Sequence, residues 1–396
     1  MNLVEKRGEL GGNLWSIRYT LERNDIREFT EDLVERVTSH PLINVRLGSE
    51  IAELAGHVGN FKSLIRGPEG ETSVSHGVMV IATGAVERET RQHLRGENER
   101  VVTQRELETK LASGELSASL GEKPLVVMIQ CVGSRTDEHP YCSRVCCSEA
   151  VKNALALKEQ RPEAQVVVLA KDIRTYGFRE TYFQKAREAG VLFVRYPEDR
   201  EPETSDENGL TVRVTDGGTR RQIELRPDLL VLSTGIAPGP DNGALSSILR
   251  TSLTADGFFL EAHPKLRPVD LASEGMFVCG LAHSPRFMDE TIAQAKAVAS
   301  RAATVLSKPY LEIGGQVARV DSHKCTACMT CVKVCPYDAP VLNAQQHKVE
   351  IQGAKCMGCG SCAAACPAEA ITLQHQEDRQ LVAMLDELLA VPERTT

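Results

Sequence analysis

No stretch of this sequence stays apolar for anything near the ~20 residues that a membrane-spanning helix needs. The longest apolar run is about Leu125 to Ile129. The chain does not open with the charged-then-apolar pattern of a secretory leader. Positive charge is also short: 46 Lys and Arg against 54 Asp and Glu give a net charge of −8, which speaks against a nucleic-acid-binding surface. Nowhere does a Gly-x-Gly-x-x-Gly loop appear, and no residue stands out as a group for acid–base work on an organic substrate. What remains is ordinary in bulk, since 42% apolar and 25% charged residues over 396 positions allow two or three soluble domains. The exception is cysteine, of which there are thirteen.

Eight of these fall in a repeat. Cys325, Cys328, Cys331 and Cys335-Pro336 are followed by Cys356, Cys359, Cys362 and Cys366-Pro367. Each half is C-x2-C-x2-C-x3-C-P, in which three thiolates wrap one corner of a cubane and the fourth reaches the other cluster. The spacing therefore predicts one [4Fe–4S] centre on Cys325, Cys328, Cys331 and Cys366, and a second on Cys356, Cys359, Cys362 and Cys335. A zinc site would use four ligands, not eight in a doubled spacing. Thiolates committed to iron imply a reducing, oxygen-poor cytoplasm.

The rest reads as α/β. Asn2-Leu-Val-Glu5 looks like a strand ending in an acidic residue, followed by a Gly11-Gly12 turn. In dinucleotide-binding units such an acidic residue holds the adenosine ribose. An ordinary surface role for Glu5 is equally compatible with the residues. Val78 to Ile81 is an apolar strand ending in Ala-Thr83-Gly84, and Leu229 to Gly235 repeats that pattern. Gly275-Met-Phe-Val-Cys279-Gly280 then leads toward a helix carrying Thr291 and Gln294, a turn where backbone N–H groups could face a flavin. In this order the pieces resemble the two-dinucleotide-domain flavoproteins of the thioredoxin reductase class, here without the first βα unit. Arg286 is a candidate to stabilise reduced anionic flavin. Cys279 reads as a packed small hydrophobe.

The second nucleotide-like domain starts near Lys123. Where a nicotinamide-binding unit has its glycine loop, this chain has Gln130-Cys131-Val-Gly133-Ser134. Cys142, Cys146 and Cys147 follow, beside Arg135 and Arg144. Cationic neighbours favour thiolates, and thiolates make iron ligands. By spacing alone, structural thiols, a redox disulfide and a zinc site stay open. The helix carrying Arg179, Glu180, Tyr182 and Lys185 reads as a solvated face, and 205–218 as a surface excursion. Residues 380–390 repeat apolar side chains at helical spacing, reading as a helix packed on its own chain or docking a partner.

Longer motifs carry a more specific resemblance. Val58-Gly-Asn-Phe61, Gly96 to Leu107, Gln130-Cys-Val-Gly-Ser-Arg135, Tyr141-Cys-Ser-Arg-Val-Cys-Cys147 and Asp256 to Pro268 resemble the A-type subunit of heterodisulfide reductase. They are similar too to the flavoprotein subunits of quinone-interacting oxidoreductase complexes. The resemblance implies FAD, held with help from Glu5, Gly11, Gly12, Thr83, Gly84, Gly280, Arg286, Thr291 and Gln294. It also implies a third [4Fe–4S] cluster on Cys131, Cys142, Cys146 and Cys147.

The expected activity is electron relay, with flavin-based bifurcation in some members. Expected partners are other subunits of such a complex, with ferredoxin, hydrogenase or dehydrogenase donors; a homodimer is compatible with the reading. The expected layout is an incomplete FAD domain at 1–121, an inserted nucleotide-like domain at 122–250, the FAD domain resumed at 251–312, an α+β two-cluster ferredoxin domain at 313–376 and a helical tail at 377–396. Three departures are visible. The family's leading dinucleotide loop is missing. The ferredoxin that many members insert after Phe61 and their extra Cys near Leu21 to Phe29 are missing too. Leu281 stands where general flavin reductases place an Asp, which family members tolerate. Two rival readings are an NAD(P)H-dependent reductase of the glutamate synthase small-subunit type and a flavin-free electron wire.

Overall fold

The computed structural model describes residues 1–116, 120–312 and 314–390. The first position of the expected ferredoxin domain (313) and the last six of the tail (391–396) lie outside the described residues. Strand β1 (Asn2–Val4) pairs in parallel with β2 (Asn44–Arg46), and helix α1 (Ile26–Ser39) connects them. Asp25 starts that helix by accepting from the backbone N–H groups of Arg27 and Glu28. An antiparallel meander follows, β3 (Glu50–His57), β4 (Asn60–Gly67) and β5 (Gly70–His76). Its first hairpin turns on Val58-Gly59, where Gly59 has φ +83°, a conformation that favours glycine. Next come β6 (Met79–Ile81) and β7 (Ala85–Glu87).

The centre of the chain is a five-stranded, all-parallel sheet. Its strands are β8 (Val101–Thr103), β9 (Leu125–Ile129), β10 (Gln165–Ala170), β11 (Leu192–Arg195) and, after an antiparallel excursion β12 (Glu203–Ser205), β13 (Thr211–Thr215), β14 (Gln222–Leu225), the last strand β15 (Leu229–Leu232). The spatial order is β11-β10-β9-β15-β8. Helices α2 (Gln104–Ser113), α3 (Cys146–Gln160) and α4 (Glu180–Glu188) supply the connections. Val126 to Ile129 are almost wholly buried because both faces are covered. Val126, Met128 and Val231 pack against α2 and α3, whereas Val127, Ile129, Leu230 and Leu232 meet Leu210, Val212 and Val214. The expected surface excursion thus covers one face of the sheet, because alternate valines of β13 point inward.

Beyond β15, β16 (Ile236–Pro238) pairs with β7 in an antiparallel ribbon, and α5 (Asn242–Leu249) follows. Strands β17 (Glu261–His263), β18 (Arg267–Leu271) and β19 (Met276–Val278) return the chain to β6, with β19 and β6 parallel. Helix α6 (Met288–Leu306) covers Val269, Phe277 and Cys279, so Cys279 is indeed a packed small hydrophobe. The last module contains β20 (Ala318–Val320), α7 (Thr330–Val334), β21 (Pro340–Asn343), β22 (Lys348–Ile351), α8 (Ser361–Ala364) and β23 (Ile371–Leu373). Arg250 and Asp338 form an ion pair between this module and the preceding body.

Two expectations need correcting. Helix α9 (Asp378–Leu389) buries none of its residues, and Leu381, Met384, Leu385 and Leu388 are exposed, so its apolar stripe does not pack on the described residues. Arg179 is not a solvated cation: it donates to Asp289 at 2.9 Å and lies 3.6 Å from the Phe287 ring centroid.

Candidate iron–sulfur centres

In the last module the eight repeated cysteines line two cavities. One is bounded by Cys325, Cys328, Cys331 and Cys366. The other is bounded by Cys335, Cys356, Cys359 and Cys362. Each therefore takes three thiols from one half of the repeat and one from the other. The halves also share their backbone: Ala327 and Met329 are left-handed in the first loop, and Gly358 and Gly360 in the second. That winding turns successive thiols inward. Val320, Val349, Ala370 and Ile371 close the first cavity, and Ala318, Pro340, Ile351 and Leu373 the second. The lining is apolar, which restricts water.

Hydrogen bonding repeats as well. Thr330 Oγ1 is 3.4 Å from Cys328 Sγ, and Ser361 Oγ is 3.5 Å from Cys359 Sγ. These hydroxyls, each first in a short helix, hold the two thiols below the ordinary cysteine range. Burial pushes the more enclosed Cys331 and Cys362 the other way. Backbone N–H groups of Ala318 and Ala370 each donate to sulfur at 3.3 Å, on Cys356 and Cys366. Thiolates with such donors and apolar walls are a donor set suited to iron–sulfur clusters. Thr330 and Ser361 carry no signal of their own in the sequence, although they occupy equivalent places in the two halves.

A third group of thiols gathers where β9 ends and α3 begins. Cys131 has φ +63° and leaves the strand. Cys146 and Cys147 are the first two residues of α3. Arg144 N–H donates to Cys142 Sγ at 3.3 Å, and Arg135 Nη1 approaches Cys131 Sγ at 4.0 Å. Burial raises all three of Cys131, Cys146 and Cys147, the last up to about 12, and each feels the charge of other thiols in the set. Such mutually repelling thiols favour the protonated state until a cation binds and displaces the protons. Polar groups converge here too. A Cβ on Gly235 would stand 2.6 Å from Ser143 Oγ and 2.7 Å from Ser134 Oγ. Side-chain atoms of Gln130, Ser134, Ser148 and Ser233 are buried without partners, as they would be if they faced a group with acceptor atoms. Among the described residues, no three His, Cys, Asp or Glu side chains are placed as ligands of one ion.

The residues proposed for a flavin are less uniform. Gly84 has φ +76° and open space where a side chain would be, and Thr83 beside it is exposed. Gly11 and Gly12 form a left-handed turn whose first glycine lies against Trp15, and Asn13 Nδ2 donates to Ala85 O at 2.8 Å. The segment after β1 is thereby held beside the segment after β6. Glu5 Oε1 accepts from Arg7 N–H at 2.8 Å. Gly280 N–H donates to Gln294 Oε1 at 2.8 Å, and Gln294 Nε2 reaches His283 Nδ1 at 2.8 Å. Thr291 Oγ1 donates to Phe287 O at 3.0 Å. Arg286 Nη2 also meets His283, and its buried Nε has no partner. Gly84 and Arg286 thus fit an acceptor-rich ligand, whereas Gly280 and Gln294 are engaged with each other.

Residues 318–367 match the 4Fe-4S dicluster domain family. The chain is 40% identical over 221 residues to the A-type subunit of ferredoxin:CoB-CoM heterodisulfide reductase from Methanosarcina acetivorans, covering 55% of this chain and 27% of that protein. It is 36% identical over 340 residues to an A-type iron-sulfur subunit of CoB–CoM heterodisulfide reductase from Methanopyrus kandleri, covering 81% of this chain and 51% of the relative. The chain thus spans about half, or less, of the length of these relatives. Lactococcus lactis thioredoxin reductase superposes with a TM-score of 0.51 at 14% identity, covering 77% of this chain and 90% of that one. No described helix is long and apolar enough to cross a membrane. This chain is similar to the A-type subunits of heterodisulfide reductases, with a thioredoxin-reductase-like fold and a 4Fe-4S dicluster domain at residues 318–367.

Proposed function

We propose that this chain is an electron-relaying oxidoreductase subunit that passes electrons between FAD and [4Fe–4S] clusters toward partner subunits in the cytoplasm. The observation that carries the reading is the pair of four-thiol cavities, each closed by a cysteine from the opposite half of the repeat. In this reading Cys325, Cys328, Cys331 and Cys366 hold one cluster, and Cys335, Cys356, Cys359 and Cys362 the second. Cys131, Cys142, Cys146 and Cys147 hold a third, at the sheet end where a nicotinamide loop would otherwise lie. A flavin accepts electrons as a pair and can release them singly, while each cluster carries one. The protein's own part is to position and tune. Hydroxyls of Thr330 and Ser361 support thiolate character, apolar walls exclude water, and Arg135 offsets negative charge at Cys131. The names of the relatives suggest partners of the heterodisulfide reductase type and ferredoxin; hydrogenase or dehydrogenase donors, bifurcation and a homodimer belong to the same proposal.

Iron per chain after anaerobic reconstitution tests this. Cubane stoichiometry makes roughly twelve irons the expected result. Roughly eight would leave only the ferredoxin pair and return the other four cysteines to structural duty. A second reading, a flavin-free electron wire, is favoured by one observation, the Gly280 N–H already donated to Gln294. FAD titration of the same sample separates the two: stoichiometric binding retains the flavoprotein reading, and no binding leaves the wire.

A further inference from the structure

Beneath the first turn of α3, a core position of the central sheet is occupied by an amide. Side chains alternate along β9, so Gln130 continues the row of Val126 and Met128, which faces α2 and α3. Ser233 N–H donates to Ile129 O, and Val132 N–H donates to Ser233 O, at 2.9 and 3.1 Å. Ser233 therefore sits beside Gln130 and continues the row of Leu229 and Val231 on the same face. Helix α3 crosses that face, and its first three residues are Cys146, Cys147 and Ser148.

Gln130 is 1% exposed, Ser233 2% and Ser148 5%. Yet Gln130 Nε2 and Oε1, Ser233 Oγ and Ser148 Oγ all lack a hydrogen-bond partner. A buried amide with neither end bonded is costly, and an apolar side chain of similar volume would avoid that cost. The chain keeps three such residues together, next to thiols of the third group. The Gln130 backbone is meanwhile fully used, its N–H donating to Leu169 O and its carbonyl accepting from Tyr196 Oη. Only the side chain is left unpaired.

We propose that Gln130, seconded by Ser233, donates hydrogen bonds to the sulfur atoms of the cluster held by Cys131, Cys142, Cys146 and Cys147, and so raises its reduction potential. The inference rests on the three-cluster reading above. Reduction adds one electron and makes the cluster more negative, so a donor to sulfur stabilises the reduced state more than the oxidised one. Gln130 is a tuning contact of the cluster.

The test is a dithionite titration of the reconstituted full chain, followed by electron paramagnetic resonance, comparing wild type with Gln130→Leu, Gln130→Glu and Ser233→Ala. The ferredoxin pair serves as internal reference. At a fixed poise, Gln130→Leu is expected to raise the oxidised-to-reduced ratio of one cluster about tenfold, equivalent to ~59 mV for one electron. Gln130→Glu should shift it at least as far in the same direction, and Ser233→Ala less. An exchangeable-deuteron coupling to that reduced cluster should vanish in Gln130→Leu. Twelve irons with an unmoved potential overturn the proposal while leaving three clusters intact. Loss of the third cluster from both Gln130→Leu and Ser233→Ala also overturns it, because the residues then hold structure and do not tune. Eight irons in wild type remove the premise itself.

Discussion

Lys152 shows how one residue can position a site it does not touch. Its ammonium is nearly buried and donates to Glu108 at 2.8 Å and to Tyr19 O at 3.0 Å, so it ties α3 to α2. Glu108 in turn accepts from the backbone N–H of Arg18 at 2.7 Å. Removing one partner of such a pair strands a charge in the interior. Lys152→Met is therefore expected to destabilise the fold by ~3–5 kcal/mol in chemical denaturation, whereas Lys152→Met with Glu108→Leu should recover much of the loss. If the single variant were as stable as wild type, the pair would not be what anchors α3. Gln130 belongs to the same scale, and it was legible: a polar residue in register with Val126 and Met128 breaks the apolar row. The two other residues placed beside it, Ser148 and Ser233, are serines, and nothing in their sequence spacing brings them together.

At the scale of elements, α2 and α9 are opposites. α2 begins with a reciprocal cap, Thr103 N–H donating to Glu106 at 2.8 Å while Glu106 N–H donates back to Thr103 at 3.4 Å, and it buries Leu107 and Leu111. α9 is capped too, but its stripe of Leu381, Met384, Leu385 and Leu388 faces outward, with Leu388 78% exposed. Local periodicity identified α9 and could not say whether it has a neighbour. Since nothing described covers Leu388, Leu388→Asp should change the stability of the isolated chain by no more than ~0.5 kcal/mol. A thermal melt checks this, and a large loss would show that the helix is covered in solution.

For the whole molecule, the parallel sheet and the ferredoxin module owe their stability to different things. The sheet buries Val126 to Ile129 and Val166 to Ala170 between two covered faces. The module's core is small and includes Cys325, Cys331 and Cys362, so metal binding there is part of folding. Removing iron by oxidation and chelation is expected to raise amide hydrogen exchange across 314–376 while leaving the β9, β10 and β15 amides protected. Uniform loss of protection would mean that the two bodies unfold as one unit. The Arg250–Asp338 pair, half-exposed on both sides, would contribute little to such coupling.

Sequence by itself determined the chemistry of the ferredoxin module, because cluster spacing is local and every needed thiol lies within one repeat. It also determined the run of buried parallel strands, since unbroken apolar segments such as Leu125 to Ile129 report burial on both faces. Tertiary structure alone decided the rest. It set Ser233 beside Gln130, a hundred residues apart, through strand register. It also closed Gly280 onto Gln294 and Arg286 onto His283, and left the stripe of α9 bare. Each of these depends on which distant segment arrives at a surface, and hydrophobic periodicity records that a face is apolar without recording what meets it.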